Sequence, residues 1–182
     1  MREISLHILD IVHNSIAAGA GLIEVIITED KKENLFSVVI RDNGKGMDKE
    51  LLASVIDPFT TSRSTRKVGL GIPLFKLAAE NTGGSFHISS EVGKGTEVVA
   101  NFVHNSIDRQ PLGDIAETML GLFSSYEHIN FVYIHKVDNN EFSVNTEEIK
   151  AILNGVSFSE PSIYSWISDY LKNGEHELTV QI

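Results

Sequence analysis

The tightest constraint on this chain lies in residues 58–72. Pro58-Phe59-Thr60-Thr61 sets an apolar anchor before a run of hydroxyls, Arg63, Arg66 and Lys67 follow, and Gly69-Leu70-Gly71-Ile72 closes the stretch. The pattern predicts Pro73 at the first helical position, where a missing N–H is no loss and a fixed φ suits the helix. A helix opening just after closely spaced glycines offers free N–H groups and the positive end of its dipole, an arrangement suited to phosphate. A lone Gly-x-Gly before a helix is common. The flanking elements decide how it is read.

Residues 3–18 predict an amphipathic helix, with Ile4, Ile8, Ile11 and Ser15 on one stripe and Leu9, Val12 and Ile16 widening it. Strands are expected at 22–29 and 35–41, separated by the charged turn Asp30-Lys31-Lys32-Glu33-Asn34. Asp48 reads as the cap of a short helix ending at Ile56. The glycine pair leads into a helix from Pro73 to Asn81, ended by Gly83-Gly84. Strands at 85–90 and 96–103 then flank Val92-Gly93-Lys94-Gly95.

Asp10 and Asn14 stand four residues apart, so both project from one face of the first helix. Asn14 offers Mg²⁺ a hard oxygen, and Asp10 could accept a proton from an attacking water. Taken alone, the pair reads equally well as two solvated polar residues. Asp42-Asn43-Gly44-Lys45-Gly46 at a strand end is strong turn chemistry. It also suits a pocket in which Asp42 accepts from an adenine amino group while Gly44 and Gly46 let the backbone approach the base. Arg63, Arg66 and Lys67 could neutralise β- and γ-phosphates, with Thr60, Thr61 and Ser62 as lesser donors. His7 shares the face of Asp10 and Asn14, and is expected to pack rather than catalyse; His13 falls on another face.

Together, Asp10-x-x-x-Asn14, Asp42-x-Gly44-x-Gly46, Pro58-Phe59, Gly69-Leu70-Gly71 and Gly93-x-Gly95-Thr96 resemble the motif boxes of the GHKL superfamily. That superfamily unites gyrase, the heat-shock chaperone, histidine kinases and MutL-type mismatch-repair ATPases. The resemblance covers residues 1–103. It implies an α+β fold, a two-layer α/β sandwich of the Bergerat type with a mixed, largely antiparallel sheet. It also implies Asn14 as Mg²⁺ ligand, Asp42 as adenine acceptor with Thr96 supporting it through water, and Gly69, Leu70 and Gly71 at the phosphates. Residues 57–68, Phe59 among them, would form a lid. Where hydrolysing relatives and the anti-sigma serine kinases carry Glu as base, this chain has Asp10, one methylene shorter, so slow turnover is expected.

An autophosphorylating sensor kinase is not expected. It needs a phosphoacceptor histidine on a helical hairpin, and the nucleotide helix opens this sequence. Arg109-Gln110-Pro111-Leu112-Gly113-Asp114-Ile115 echoes an acceptor box, but Ser106 stands at the acceptor position. Pro111 instead predicts the start of a helix to Ser124.

Residues 104–182 form an expected α+β extension of unknown role, which either extends the same sheet or stands as a small module. It comprises the 111–124 helix, strands at 129–137 and 141–145, a Thr146-capped helix to 153, and a helix over 160–172 capped by Ser159 or Ser162. Ile163, Trp166, Ile167, Tyr170 and Leu171 make the last helix's apolar stripe, read as core packing.

A formal charge of −10 and a pI near 5.1 argue against nucleic acid as a partner. The absence of cysteine, of a leader pattern and of any membrane-length apolar run fits a cytoplasmic protein without membrane contact. The resulting expectation is a regulatory protein that binds ATP and Mg²⁺ and hydrolyses ATP slowly or transfers its phosphate to a protein partner. A non-catalytic ATP-gated interaction switch is the alternative, a MutL-like DNA-repair ATPase a lesser one, and homodimerisation through the lid remains open.

Overall fold

The computed structural model describes residues 3–56 and 69–180. Its elements run α1 (Ile4–Ala17), β1 (Leu22–Asp30), β2 (Leu35–Asp42), α2 (Lys49–Ile56), α3 (Gly71–Asn81), β3 (Ser85–Glu91) and β4 (Gly95–Val103). There follow α4 (Ile115–Ser125), β5 (Asn130–Val137), β6 (Asn140–Asn145), α5 (Thr146–Leu153) and α6 (Pro161–Val180). The strands form one sheet in the order β3-β4-β2-β1-β5-β6. Every neighbouring pair is antiparallel except β1 with β5. The mixed, largely antiparallel α/β sandwich expected from the sequence is the one observed.

Alternation along the strands assigns the core. Ile23, Val25 and Ile27 of β1, Phe36, Val38 and Ile40 of β2, and Val98, Ala100 and Phe102 of β4 are buried, their neighbours less so. Buried residues of α1, α3 and α4 complete the layer, among them Ile4, Ile8, Phe75 and Phe123. Each such large side chain contributes roughly 1.5–3 kcal/mol by leaving water. The rows opposite, such as Val99, Val39, Ile26 and Ile134 across four neighbouring strands, are only half-buried.

Six expectations need correction. Helix α3 begins at Gly71, so Pro73 is its third residue, still within the first turn where N–H groups lack helical acceptors. Pro111 starts no helix; its carbonyl and that of Leu112 accept the N–H groups of Ile4 and Ser5, at 2.9 and 2.8 Å. That pairing serves the start of α1, whose N-cap Glu3 makes no side-chain cap. Helix α4 instead opens at Ile115 under Asp114, whose carboxylate accepts from Glu117 N–H at 2.8 Å.

Thr146 does not cap α5, because Asn145 does. The buried Thr146 hydroxyl accepts from the Phe131 N–H at 2.8 Å. Helix α6 runs eight residues past the expected end, Ser162 lies inside it, and Ser159 Oγ contacts Glu127. Of its predicted apolar stripe, Ile167 and Leu171 are buried, but Trp166 and Tyr170 are exposed.

Candidate functional site

Where β2 ends, the Asn43 side chain and backbone contacts outside the ladder hold the chain. Asn43 Oδ1 accepts from the N–H groups of Gly21 and Leu22 at 2.8 and 2.9 Å, tying the turn back to the start of β1. The Lys45 N–H donates to the Ala18 carbonyl, and the Lys45 carbonyl accepts from Gly93 N–H. Gly46 has φ +66°, and a Cβ there would collide with the Glu91 carbonyl. Gly95 has φ +109°, and a Cβ there would strike the Asp42 carbonyl. The two glycine-rich loops therefore close on each other, which only bare backbone permits.

This closure aims Asp42. Its Oδ1 accepts from the Gly44 N–H at 2.8 Å, and its Oδ2 from the Ser15 hydroxyl at 2.6 Å. A carboxylate has about four lone-pair directions, so acceptor capacity is left over. Thr96 faces Asp42 in the β2–β4 register. The Thr96 hydroxyl lies 2.9 Å from that of Ser90, which donates to the Gly95 carbonyl and accepts from Met47 N–H.

Asp42 opens onto a cavity of about 500 Å³. Ile11, Ile40, Met47, Leu51, Ile88 and Val98 give it an apolar chamber, and Asn14, Ser15, Lys45, Gly46, Gly69 and Thr96 also line it. Exposed Asn14 therefore meets Asp42 and Thr96 across one space. Asp10 lies outside that lining and sits at the start of α3, where a Cβ on Gly71 would come within 3.0 Å of its Cβ and 3.3 Å of Oδ2. N-cap Leu70, largely exposed, supplies no side-chain cap to α3. Phe59, Thr60, Thr61, Arg63, Arg66 and Lys67 fall outside the described residues.

Two histidines nearby are accounted for by packing. His7 is buried, stacks on Phe75 at 5.2 Å, and shares a 3.1 Å hydrogen bond with Gln110. Burial lowers its pKa, so the ring is held neutral. His13 is exposed and packs edge-on to Tyr126.

Ser15 is the residue of this candidate site that pattern reading assigned elsewhere, as part of the core stripe. The available signal was a hydroxyl among isoleucines: a buried Ser needs a partner. Ser90 and Asn43 went unread because their contacts lie between loops distant in sequence.

The donor set fits a purine nucleotide. An apolar chamber takes a base, a carboxylate accepts from an exocyclic amine, and an amide oxygen and an uncapped helix start lie on the same side of α1 and α3. No cluster of three or more His, Asp or Glu suited to a metal occurs among the described residues. Asn14 would be the protein group to hold a cation here, and the cation would supply charge neutralisation to a bound phosphate.

The family model of the histidine kinase-, DNA gyrase B-, and HSP90-like ATPases matches residues 2–106. The chain belongs to this ATPase family. It therefore carries an ATP-binding domain, and the GHKL likeness read from the motif boxes holds. Sporulation kinase D of Bacillus subtilis (strain 168) is 36% identical over 93 residues, which make up 50% of this chain and 18% of that protein. Sensor protein SrrB of Staphylococcus aureus (strain NCTC 8325 / PS 47) is 36% identical over 81 residues, 42% of this chain and 14% of that protein. The chain thus spans less than a fifth of the length of these curated relatives. Among solved structures, the Aquifex aeolicus MutL ATPase domain complexed with ADP aligns with a TM-score of 0.50 at 15% identity, covering 85% of this chain and 70% of that one. The N-terminal domain of a DNA repair protein aligns equally well at 17% identity, covering 80% and 52%. At those identities the likeness is one of fold. No helix among the described residues is long and apolar enough to cross a membrane.

Proposed function

We propose that this protein binds Mg²⁺·ATP in the cavity at the end of β2 and acts on the γ-phosphate, by slow hydrolysis or by transfer to a protein partner that it regulates. The observation that carries the reading is the Asp42 carboxylate, fixed by Ser15 and Gly44 with acceptor capacity left facing an apolar chamber. Such a group selects an adenine amino donor over an oxygen-bearing base. Asn14 would hold the cation, which supplies charge neutralisation at the phosphates. The start of α3 at Gly69-Leu70-Gly71 would offer N–H groups to the phosphate oxygens. Asp10, against Gly71, would take the proton from the attacking water or acceptor hydroxyl. Its short side chain supports slow turnover.

A second reading, an ATP-gated binding module without turnover, draws support from the position of Asp10 outside the cavity lining. DNA-repair activity gains nothing from the MutL likeness, and the charge of −10 stands against it. ATP binding and phosphate release measured on wild type and Asp10→Ala separate the readings. The catalytic reading expects both proteins to bind and only wild type to release phosphate. Binding in both with release in neither leaves the switch; no binding by wild type removes both.

A further inference from the structure

Helix α6 turns to solvent an aromatic face that neither the core nor the nucleotide cavity uses. Trp166 is 48% and Tyr170 42% exposed. Their rings stack at 5.7 Å with planes 10° apart, and Tyr170 stands edge-on to Phe142 of β6 at 5.5 Å. Asp169 follows Trp166 by three residues, on the same side of the helix, and Asn173 and Glu177 carry the stripe on by one and two further turns; all three are exposed. Among the described residues, the Asp169 and Glu177 carboxylates are engaged by no ion pair or hydrogen bond. The one lysine of α6, Lys172, faces Glu117 instead.

Charge sharpens the point. Residues 104–182 carry twelve Asp and Glu against four Lys and Arg, so most of the chain's net negative charge lies in this part. Stacked rings bordered by free carboxylates suit a guanidinium, which lays its plane on a π face while its N–H fork meets carboxylate oxygens. A purely apolar partner would desolvate those carboxylates without pairing them. A second copy of a chain of charge −10 would bring like charges together. The outer edge of β6 pairs with no strand among the described residues, so an extended segment has a backbone to run along beside the rings.

We propose that this face docks an arginine-bearing segment of a partner protein, a guanidinium stacking on the Trp166–Tyr170 pair and meeting the Asp169 or Glu177 carboxylate. This surface stands apart from the nucleotide cavity and does not depend on the reading of that cavity.

Trp166 is the sole tryptophan of the chain, so its emission reports the site directly. The full chain is titrated with a blocked peptide of alternating arginine and threonine, and with versions carrying lysine or uncharged citrulline in place of arginine. A saturable change in emission is expected, tightest for arginine, weaker for lysine and absent for citrulline. Replacing both carboxylates, with Asp169→Asn and Glu177→Gln, should weaken arginine-peptide binding about tenfold. Tyr170→Leu should weaken it about fivefold and erase the preference over lysine. Both variants change exposed residues, and circular dichroism checks that they stay folded. Equal response to citrulline, an undiminished affinity in the carboxylate variant, or no saturable response overturns the proposal. So does concentration-dependent self-association by sedimentation that Trp166→Ser abolishes, because a second copy would then cover the face.

Discussion

At the scale of single residues, the proposed recognition of a base rests on Asp42 and on the Ser15 hydroxyl that holds it. Asp42→Asn keeps the shape but turns an acceptor-only group into one that also donates, so it confronts the Gly44 N–H or a base amine with a second donor. ATP affinity is expected to fall by about a hundredfold, close to the roughly 3 kcal/mol of a charge-assisted hydrogen bond left unmade. Ser15→Ala removes the 2.6 Å donor to Oδ2, leaving the carboxylate held by the Gly44 N–H alone. About a tenfold loss is expected, with folding stability lowered by roughly 1–2 kcal/mol. Calorimetric titration with ATP checks both. A Ser15→Ala protein binding as tightly as wild type would mean that the hydroxyl serves α1 alone, through its 3.4 Å approach to the Ile11 carbonyl. Asp42 was legible in sequence because a carboxylate followed by glycines is local turn chemistry. The role of Ser15 was not, because its partner lies 27 residues away and the stripe of isoleucines around it says only that the position is buried.

At the scale of elements, the contact between α1 and α3 sets the geometry at the proposed base. Gly71 opens α3 directly against Asp10, and a methyl group there would need the carboxylate to give by a few tenths of an ångström. Alanine is intrinsically better than glycine inside a helix by about 1 kcal/mol, which offsets part of the crowding in stability. The two effects separate by measurement. Gly71→Ala should leave the denaturation midpoint within about 1 kcal/mol of wild type while phosphate release falls about tenfold through displacement of Asp10. Unchanged release at unchanged stability would detach Asp10 from the chemistry. Helix ends elsewhere show what periodicity can and cannot reveal. Glycine and capping residues marked α2 and the stop of α3 because those signals act within a few residues. Pro111 misled because its carbonyl is used by α1, more than 100 positions earlier. Trp166 and Tyr170 were read as core because a helical stripe wider than its contact looks the same in sequence as one fully covered. Only the packing of α6 against α4, β5 and β6 decides which part of the stripe is covered.

At the scale of the molecule, a buried ionic network joins the matched ATPase region to the strands and helix beyond it. His135 on β5 is buried and lies 3.3 Å from Glu29 of β1 and 2.7 Å from Glu175 of α6. His104, after β4, meets the other oxygen of Glu29 at 2.9 Å, and the Tyr133 hydroxyl donates to Glu175 at 2.7 Å. Burial works against a charged His135, but its two carboxylate partners outweigh it and raise the pKa to about 9. Burial likewise pushes Glu29 up, yet the hydrogen bonds and charges of His135 and His104 hold it down at about 2. The signs follow. The stability from His135 is fully present below its ordinary value of 6.5 and is lost as pH rises toward about 9. The stability from Glu29 is present above its ordinary value of 4.5 and is lost as pH falls toward about 2. The network therefore contributes most between those two ordinary values, and residues 2–106 and the rest of the chain should unfold together there. His135→Ala removes the cation shared by two partly buried carboxylates, leaving Glu29 with His104 and Glu175 with the Tyr133 hydroxyl, and should cost about 3 kcal/mol. Urea denaturation of wild type and His135→Ala across acid and alkaline pH reads both claims. Wild type should show a single transition whose midpoint declines on the alkaline side, and the variant should lack that decline. An alkaline slope of the same size in the variant would assign the titration to another group, and two separate transitions between pH 4.5 and 6.5 would show that the network does not bind the two parts into one folding unit.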